Sequence, residues 1–170
     1  ATMLPAKEVG GDFYDFFFVN ERELCFLIGD VSGKGVPAAL FMVIVKTLLK
    51  TEALRGIDPV DVLNNVNLIL YPDNDTCMFA TVFIGILNTQ TGKLKFANAG
   101  HNPPILYKKG TEPKFIEVER GLVLGVMDDI EFGKGELDLK PEDVLFIYTD
   151  GVTEAMDLSL IHISEPTRPY

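Results

Sequence analysis

A chain of 170 residues, 47% hydrophobic and 24% charged, is one domain with enough apolar material for a core, and it is too apolar for a disordered tail. Against 15 Lys and Arg stand 25 Asp and Glu, a formal net charge of -10. This argues against nucleic acid as the main partner, because phosphate backbones are held by clustered cations, and leaves metal ions open. Two cysteines, Cys25 and Cys77, are too few for a disulfide scaffold and fit a reducing, cytoplasmic setting. The longest apolar run, Val36 to Val45, stops at Lys46 and is too short to span a bilayer, and the first residues carry neither the basic nor the apolar region of a signal peptide.

In chain order, Asp12 to Val19 is aromatic-rich and predicts a strand, Asn20-Glu21-Arg22 a turn, and Glu23 to Ile28 a second strand completing a hairpin. Gly29 to Gly35 reads as a glycine-rich loop. A helix is expected from Pro37 to about Arg55, stopped by Gly56. Asp58 and Pro59 open a second helix, whose apolar face is Val62, Leu63, Val66, Ile69 and Leu70. After Pro72 the pattern turns to β. Met78 to Leu87 and Lys93 to Ala99 flank a turn, and Ile105 to Lys108, Lys114 to Val118 and Glu136 to Leu139 are short strands. Val144 to Thr149 is continuously apolar and is expected to be a central strand buried on both faces. Strands in runs and helices together make an α+β domain with antiparallel sheets.

Two apolar strands run into an acid in the same way: Leu24 to Ile28 leads to Gly29-Asp30-Val31, and Phe146 to Thr149 leads to Asp150-Gly151. A third acid, Asp12, follows Gly10-Gly11. Taken singly, each acid is ordinary as a turn former or helix cap. Gathered at one sheet rim, they would repel and raise each other's pKa, a penalty that divalent cations remove; oxygen ligands select magnesium or manganese over zinc. No soft-metal or nucleophile constellation competes. Cys25 and Cys77 sit in apolar segments and read as core, His101 reads more readily as a hydrogen-bonded structural residue than a catalytic one, and Ser32 is not in a Gly-x-Ser-x-Gly elbow. The loop Gly29 to Gly35 has the glycines and lysine of a phosphate-binding loop without the Gly-x4-Gly-Lys-Ser/Thr spacing, so a nucleotide site depending on Lys34 is the weaker reading.

Four blocks, Val9 to Asp15, Gly29 to Gly35, Asn98 to Pro104 and Tyr148 to Ala155, stand in the order and spacing of SpoIIE-type phosphatases. These are the bacterial branch of the metal-dependent PPM serine/threonine phosphatases, and the chain closely resembles their RsbU-like members. The resemblance covers residues 1–157. It implies an αββα sandwich with two manganese or magnesium ions between the sheets. It also implies a metal and catalytic set of Asp12, Asp30 and Asp150. Asp30 would bridge the ions, the Val31 carbonyl would ligate one and Asp150 the other, and Asp12 would bind directly or through water. Asp15 is expected to support the strand, and Asn98 and His101 carry no assigned role. Water activated by two metals would attack phosphorus in line, without a phosphoenzyme. The implied substrate is a phosphoserine protein, typically a STAS-domain anti-sigma-factor antagonist, and a sensor domain upstream is usual.

Leu158 to Tyr170 reads as a sequencing adapter translated in frame and is set aside as a non-native tail. The start is equally abrupt, so the chain reads as a fragment truncated at both ends. The family pattern closes with a strand headed by an Asp-Asp pair that completes the metal site. Asp128-Asp129 comes too early for that and reads as a solvated turn. The expectation is therefore weakened manganese binding or poor folding. The alternative to an enzyme is an interaction module that keeps the sandwich without the activity.

Overall fold

The computed structural model describes residues 1–3, 10–72, 74–118 and 121–153, so residues 154–170, including the tail set aside above, lie outside it. The chain opens with an antiparallel hairpin of β1 (Phe13–Asn20) and β2 (Glu23–Val31). Asn20 makes the turn: its Oδ1 accepts from the backbone N–H of Arg22 at 2.9 Å and of Glu23 at 3.1 Å. The strand β2 outruns the expected Ile28 and carries Asp30 within its pairing. Helices α1 (Val36–Ala53) and α2 (Pro59–Leu70) follow. Then come β3 (Ala80–Asn88), β4 (Lys93–Ala99), β5 (Ile105–Tyr107), β6 (Lys114–Phe115), β7 (Gly133–Asp138), β8 (Val144–Phe146) and the single turn α3 (Asp150–Thr153).

Two antiparallel sheets result, one ordered β1-β2-β3-β4-β7 and one ordered β6-β5-β8. The central strands β2 and β3 of the larger sheet are covered on both sides, which is why they read as near-continuous apolar runs. Strand alternation sends Cys25, Leu27, Val82, Ile84 and Ala97 into a core shared with Val45 and Leu49 of α1 and Val62 and Val66 of α2. Intervening residues, including Phe26, Phe83, Leu94 and Phe96, form a second core with Leu106 and Leu145 of the smaller sheet and with Ile116 just past β6. Each large side chain so buried is worth about 1.5–3 kcal/mol, so both layers contribute substantially. The described residues therefore form helix, sheet and sheet. They supply three layers of the expected αββα sandwich, with no long helix outside the smaller sheet.

Three expectations are corrected. On α2, Ile69 is 48% exposed, because the buried arc centres on Pro59, Val66 and Leu70 and Ile69 falls beyond its edge; Asn67 is buried instead. The Asn67 side chain offsets that burial by donating to Met127 O at 2.7 Å and accepting from Gly125 N at 2.8 Å. The segment expected to be a central strand yields only β8, an edge strand whose Val144 and Phe146 are half exposed. A cleft of about 650 Å³, lined by Phe26, Ile28, Leu145 and Ile147 among others, runs between it and the β1–β2 hairpin. Finally, Cys77 is exposed in a turn with φ 51°, not packed in a strand; Cys25 is fully buried as expected.

Candidate metal centre

Hairpin register builds the first half of the site. Phe13 pairs with Gly29, so the next step of the ladder sets Asp12 against Asp30 at the end of both strands. Asp150 arrives from the other sheet, four residues after Phe146 ends β8. Carboxylate oxygens of Asp12, Asp30 and Asp150 all lie within 4.8 Å of one another, with Asp12 and Asp30 half-buried and Asp150 exposed. The Thr149 hydroxyl donates to Asp12 Oδ2 at 2.9 Å and so fixes one acid from the neighbouring segment.

Electrostatics follow from this crowding. Burial, the hydrogen bond and charge of Asp12, and the charge of Asp150 push the Asp30 carboxyl up to about 7. No lysine or arginine forms an ion pair with these three acids among the described residues. The surroundings also make room for a ligand. A Cβ on Gly11 would stand 2.6 Å from Val31 O and 3.1 Å from Asp30 Oδ1, so only glycine lets that carbonyl and carboxylate share this space. Carboxylate and carbonyl oxygens are the donor set of hard divalent cations, and the residues present fit such a group.

Asp15 lies on the opposite face of β1, 3.2 Å from Lys50 Nζ and 3.9 Å from Lys46 Nζ. Ser32 and Phe79 exchange two hydrogen bonds, Ser32 N to Phe79 O at 2.8 Å and Phe79 N to Ser32 Oγ at 2.9 Å. Lys34 is exposed between Gly33 and Gly35, both at positive φ. Asp128 and Asp129 are exposed in a bend, away from any strand. His101 is 6% exposed, with Nδ1 2.9 Å from Thr81 Oγ1 and Nε2 3.1 Å from Tyr148 O, and burial holds its pKa down at about 4. Asn98 mounts it, donating to His101 O and accepting from His101 N, each at 3.0 Å. Sequence reasoning missed Thr81, Thr149 and the Tyr148 carbonyl. Their contacts span 20, 137 and 47 residues of chain, and the sole local signal is that Tyr148 and Thr149 precede Asp150.

A helix layer on two antiparallel sheets is the fold of solved PP2C and SpoIIE phosphatase domains. The structure of the RsbU and RsbW domains of Rv1364c from Mycobacterium tuberculosis matches with TM-score 0.78 and 27% identity, over 90% of this chain and 42% of that one. The PP2C phosphatase domain of SpoIIE from Bacillus subtilis matches in fold with TM-score 0.74 and 24% identity, over 85% of this chain and 42% of that one. Residues 20–165 match the family described as Stage II sporulation protein E (SpoIIE), and the chain belongs to that family. Phosphoserine phosphatase RsbU of Bacillus subtilis (strain 168) is 36% identical over 156 residues, 91% of this chain and 46% of RsbU. Phosphoserine phosphatase RsbP of the same organism is 25% identical over 153 residues, 88% of this chain and 38% of RsbP. The chain thus spans less than half the length of these curated relatives.

Proposed function

We propose that the chain carries the catalytic domain of a metal-dependent protein phosphatase that removes phosphate from phosphoserine on a regulatory partner. The observation that carries this reading is the convergence of Asp12, Asp30 and Asp150 within 4.8 Å, two from the opening hairpin and one from the segment after β8. In the proposed site, Asp30, Asp12, Asp150 and the Val31 carbonyl would hold two manganese or magnesium ions. Gly11 leaves the space, and Thr149 orients Asp12. Such ions supply Lewis acidity: they lower the pKa of a water and offset charge on the phosphoryl oxygens. Hydrolysis by water needs no protein nucleophile. Ser32 is engaged with Phe79, and burial pushes the Cys25 thiol up to about 12.

The names of RsbU and RsbP as phosphoserine phosphatases support the choice of phosphoserine. A STAS-domain anti-sigma-factor antagonist is the proposed substrate, a sensor domain upstream the proposed regulator, and the cytoplasm the proposed location. Among the described residues, no helix is long and apolar enough to cross a membrane.

Manganese-dependent release of p-nitrophenol from p-nitrophenyl phosphate, and of phosphate from a phosphoserine STAS protein, tests this. Activity abolished by chelation and by Asp30→Ala is the expected result. A folded, manganese-saturated chain that hydrolyses neither substrate would leave the interaction-module reading in its place.

A further inference from the structure

We propose that His101 is a positioning residue of the acidic site, a buried link that holds the strand rim carrying Asp30 in register with the segment carrying Asp150. Its two ring nitrogens reach in opposite directions. Nδ1 meets Thr81 Oγ1 at 2.9 Å, and Thr81 is the cross-strand partner of Asp30 on the five-stranded sheet. Nε2 meets the carbonyl of Tyr148 at 3.1 Å, two residues before Asp150 and one before the Thr149 that binds Asp12. The ring therefore spans from one sheet to the segment leaving the other, at the end of the sandwich where the acids meet.

Chemistry fixes the tautomer. A carbonyl only accepts, so Nε2 carries a proton; burial disfavours the charged ring, so Nδ1 is bare and accepts from the Thr81 hydroxyl. A hydroxyl has one hydrogen, so Thr81 then has none left for Asp30 O, which lies 3.5 Å away. The mount is rigid: the Asn98 side chain holds both the N–H and the C=O of His101. Apolar packing between two sheets is non-directional and leaves their relative slide loosely set. A site shared between sheets needs a directional tie, of the kind that outer-shell partners give metal ligands.

This proposal rests on the phosphatase reading only where hydrolysis is measured. Long-range 1H–15N NMR of the chain should show a neutral ring protonated at Nε2. Calorimetric manganese affinity should fall about 10- to 100-fold in His101→Ala, the range for loss of an outer-shell partner. The kcat for p-nitrophenyl phosphate should fall with it, while KM changes less than twofold. His101→Gln, which can still donate to Tyr148 O, should recover part of the loss, and Thr81→Val should lose less than His101→Ala. A ring protonated at Nδ1, or wild-type manganese affinity in a folded His101→Ala chain, overturns the proposal. If His101→Ala does not fold, His101→Gln and Thr81→Val decide, and wild-type affinity in both overturns it. If the wild-type chain binds no manganese, it is the phosphatase reading that fails. The link is then judged by amide exchange at Thr149 and Asp150: acceleration in the His101 variants supports it, and unchanged rates overturn it.

Discussion

Asp12 and Asp15 are three residues apart at the start of one strand, and they meet opposite fates. Asp15 faces the helices, where Lys50 and Lys46 of α1 stand at 3.2 and 3.9 Å, and its carboxylate is matched within the chain. Asp12 sits opposite Asp30 and within reach of Asp150, so this group of acids is matched by no cation among the described residues. The difference separates an acid that completes the fold from acids that the fold leaves incomplete. A carboxylate beside lysines stabilises modestly and asks for nothing more. Crowding at the rim opposes the ionisation of Asp30, whose carboxyl is pushed up to about 7 by burial and by Asp12.

The sharpest break is to neutralise one acid of each kind. Asp30→Asn should reduce manganese-dependent hydrolysis at least about 100-fold, since it removes a proposed ligand outright. Asp15→Asn should keep activity within about twofold. Equal losses in both, measured at saturating manganese, would erase the distinction between the two faces. Next in size is Thr149→Val, which deletes the 2.9 Å hydrogen bond to Asp12 and keeps the side-chain shape. About a tenfold loss of manganese affinity is expected, read by calorimetry.

The comparison is also sharpened by pH. Without metal, Asp30 in the folded chain titrates near 7, whereas a free Asp carboxyl titrates near 3.8. Between these values the folded state holds a proton that the unfolded state has lost, so the contribution to stability is full below the lower value and disappears as pH rises through 7. His101 works the other way, but lower: its folded value near 4, against 6.5, makes stability rise with pH only up to about 6.5. From pH 6.5 to 8, then, the urea midpoint of the chelated chain should fall. Asp30→Asn or added manganese should flatten that slope. A wild-type midpoint that stays level in chelator would remove the electrostatic basis of the comparison.

Much of this was legible in the sequence, for identifiable reasons. The hairpin, both helices and the β3–β4 turn carry local signals, such as Asn20, the Asp58 cap and Gly92, that need no distant partner. The three acids were legible because each ends or precedes an apolar strand. The edge character of β8 was not, because an apolar run looks the same whether a second sheet covers it or a cleft runs beside it. Nor was the burial of Asn67, whose partners Gly125 and Met127 lie 58 and 60 residues away. His101 was visible as a residue and silent as to role, since both ring contacts come from distant segments.

The smallest expected effect tests the helix face alone. Lys50 lies 3.2 Å from Asp15 and stands over the Phe17 ring at 4.7 Å. Its side chain is 44% exposed, so solvent screens the pair, and an exposed ion pair contributes about 0.2–1 kcal/mol. The cation–π contact adds at most a similar amount at such a site. Lys46, at 3.9 Å, stays behind to share the Asp15 charge. Lys50→Met keeps the apolar stem that packs on Phe17 and removes only the charge, so urea denaturation should show a loss of about 1 kcal/mol or less, diminished further in high salt. Manganese affinity and hydrolysis should stay at wild-type values, because the charge removed lies across the sheet from the acids. A loss of manganese binding in Lys50→Met would mean that the two faces of β1 are coupled through the strand, and that Asp15 belongs to the site after all.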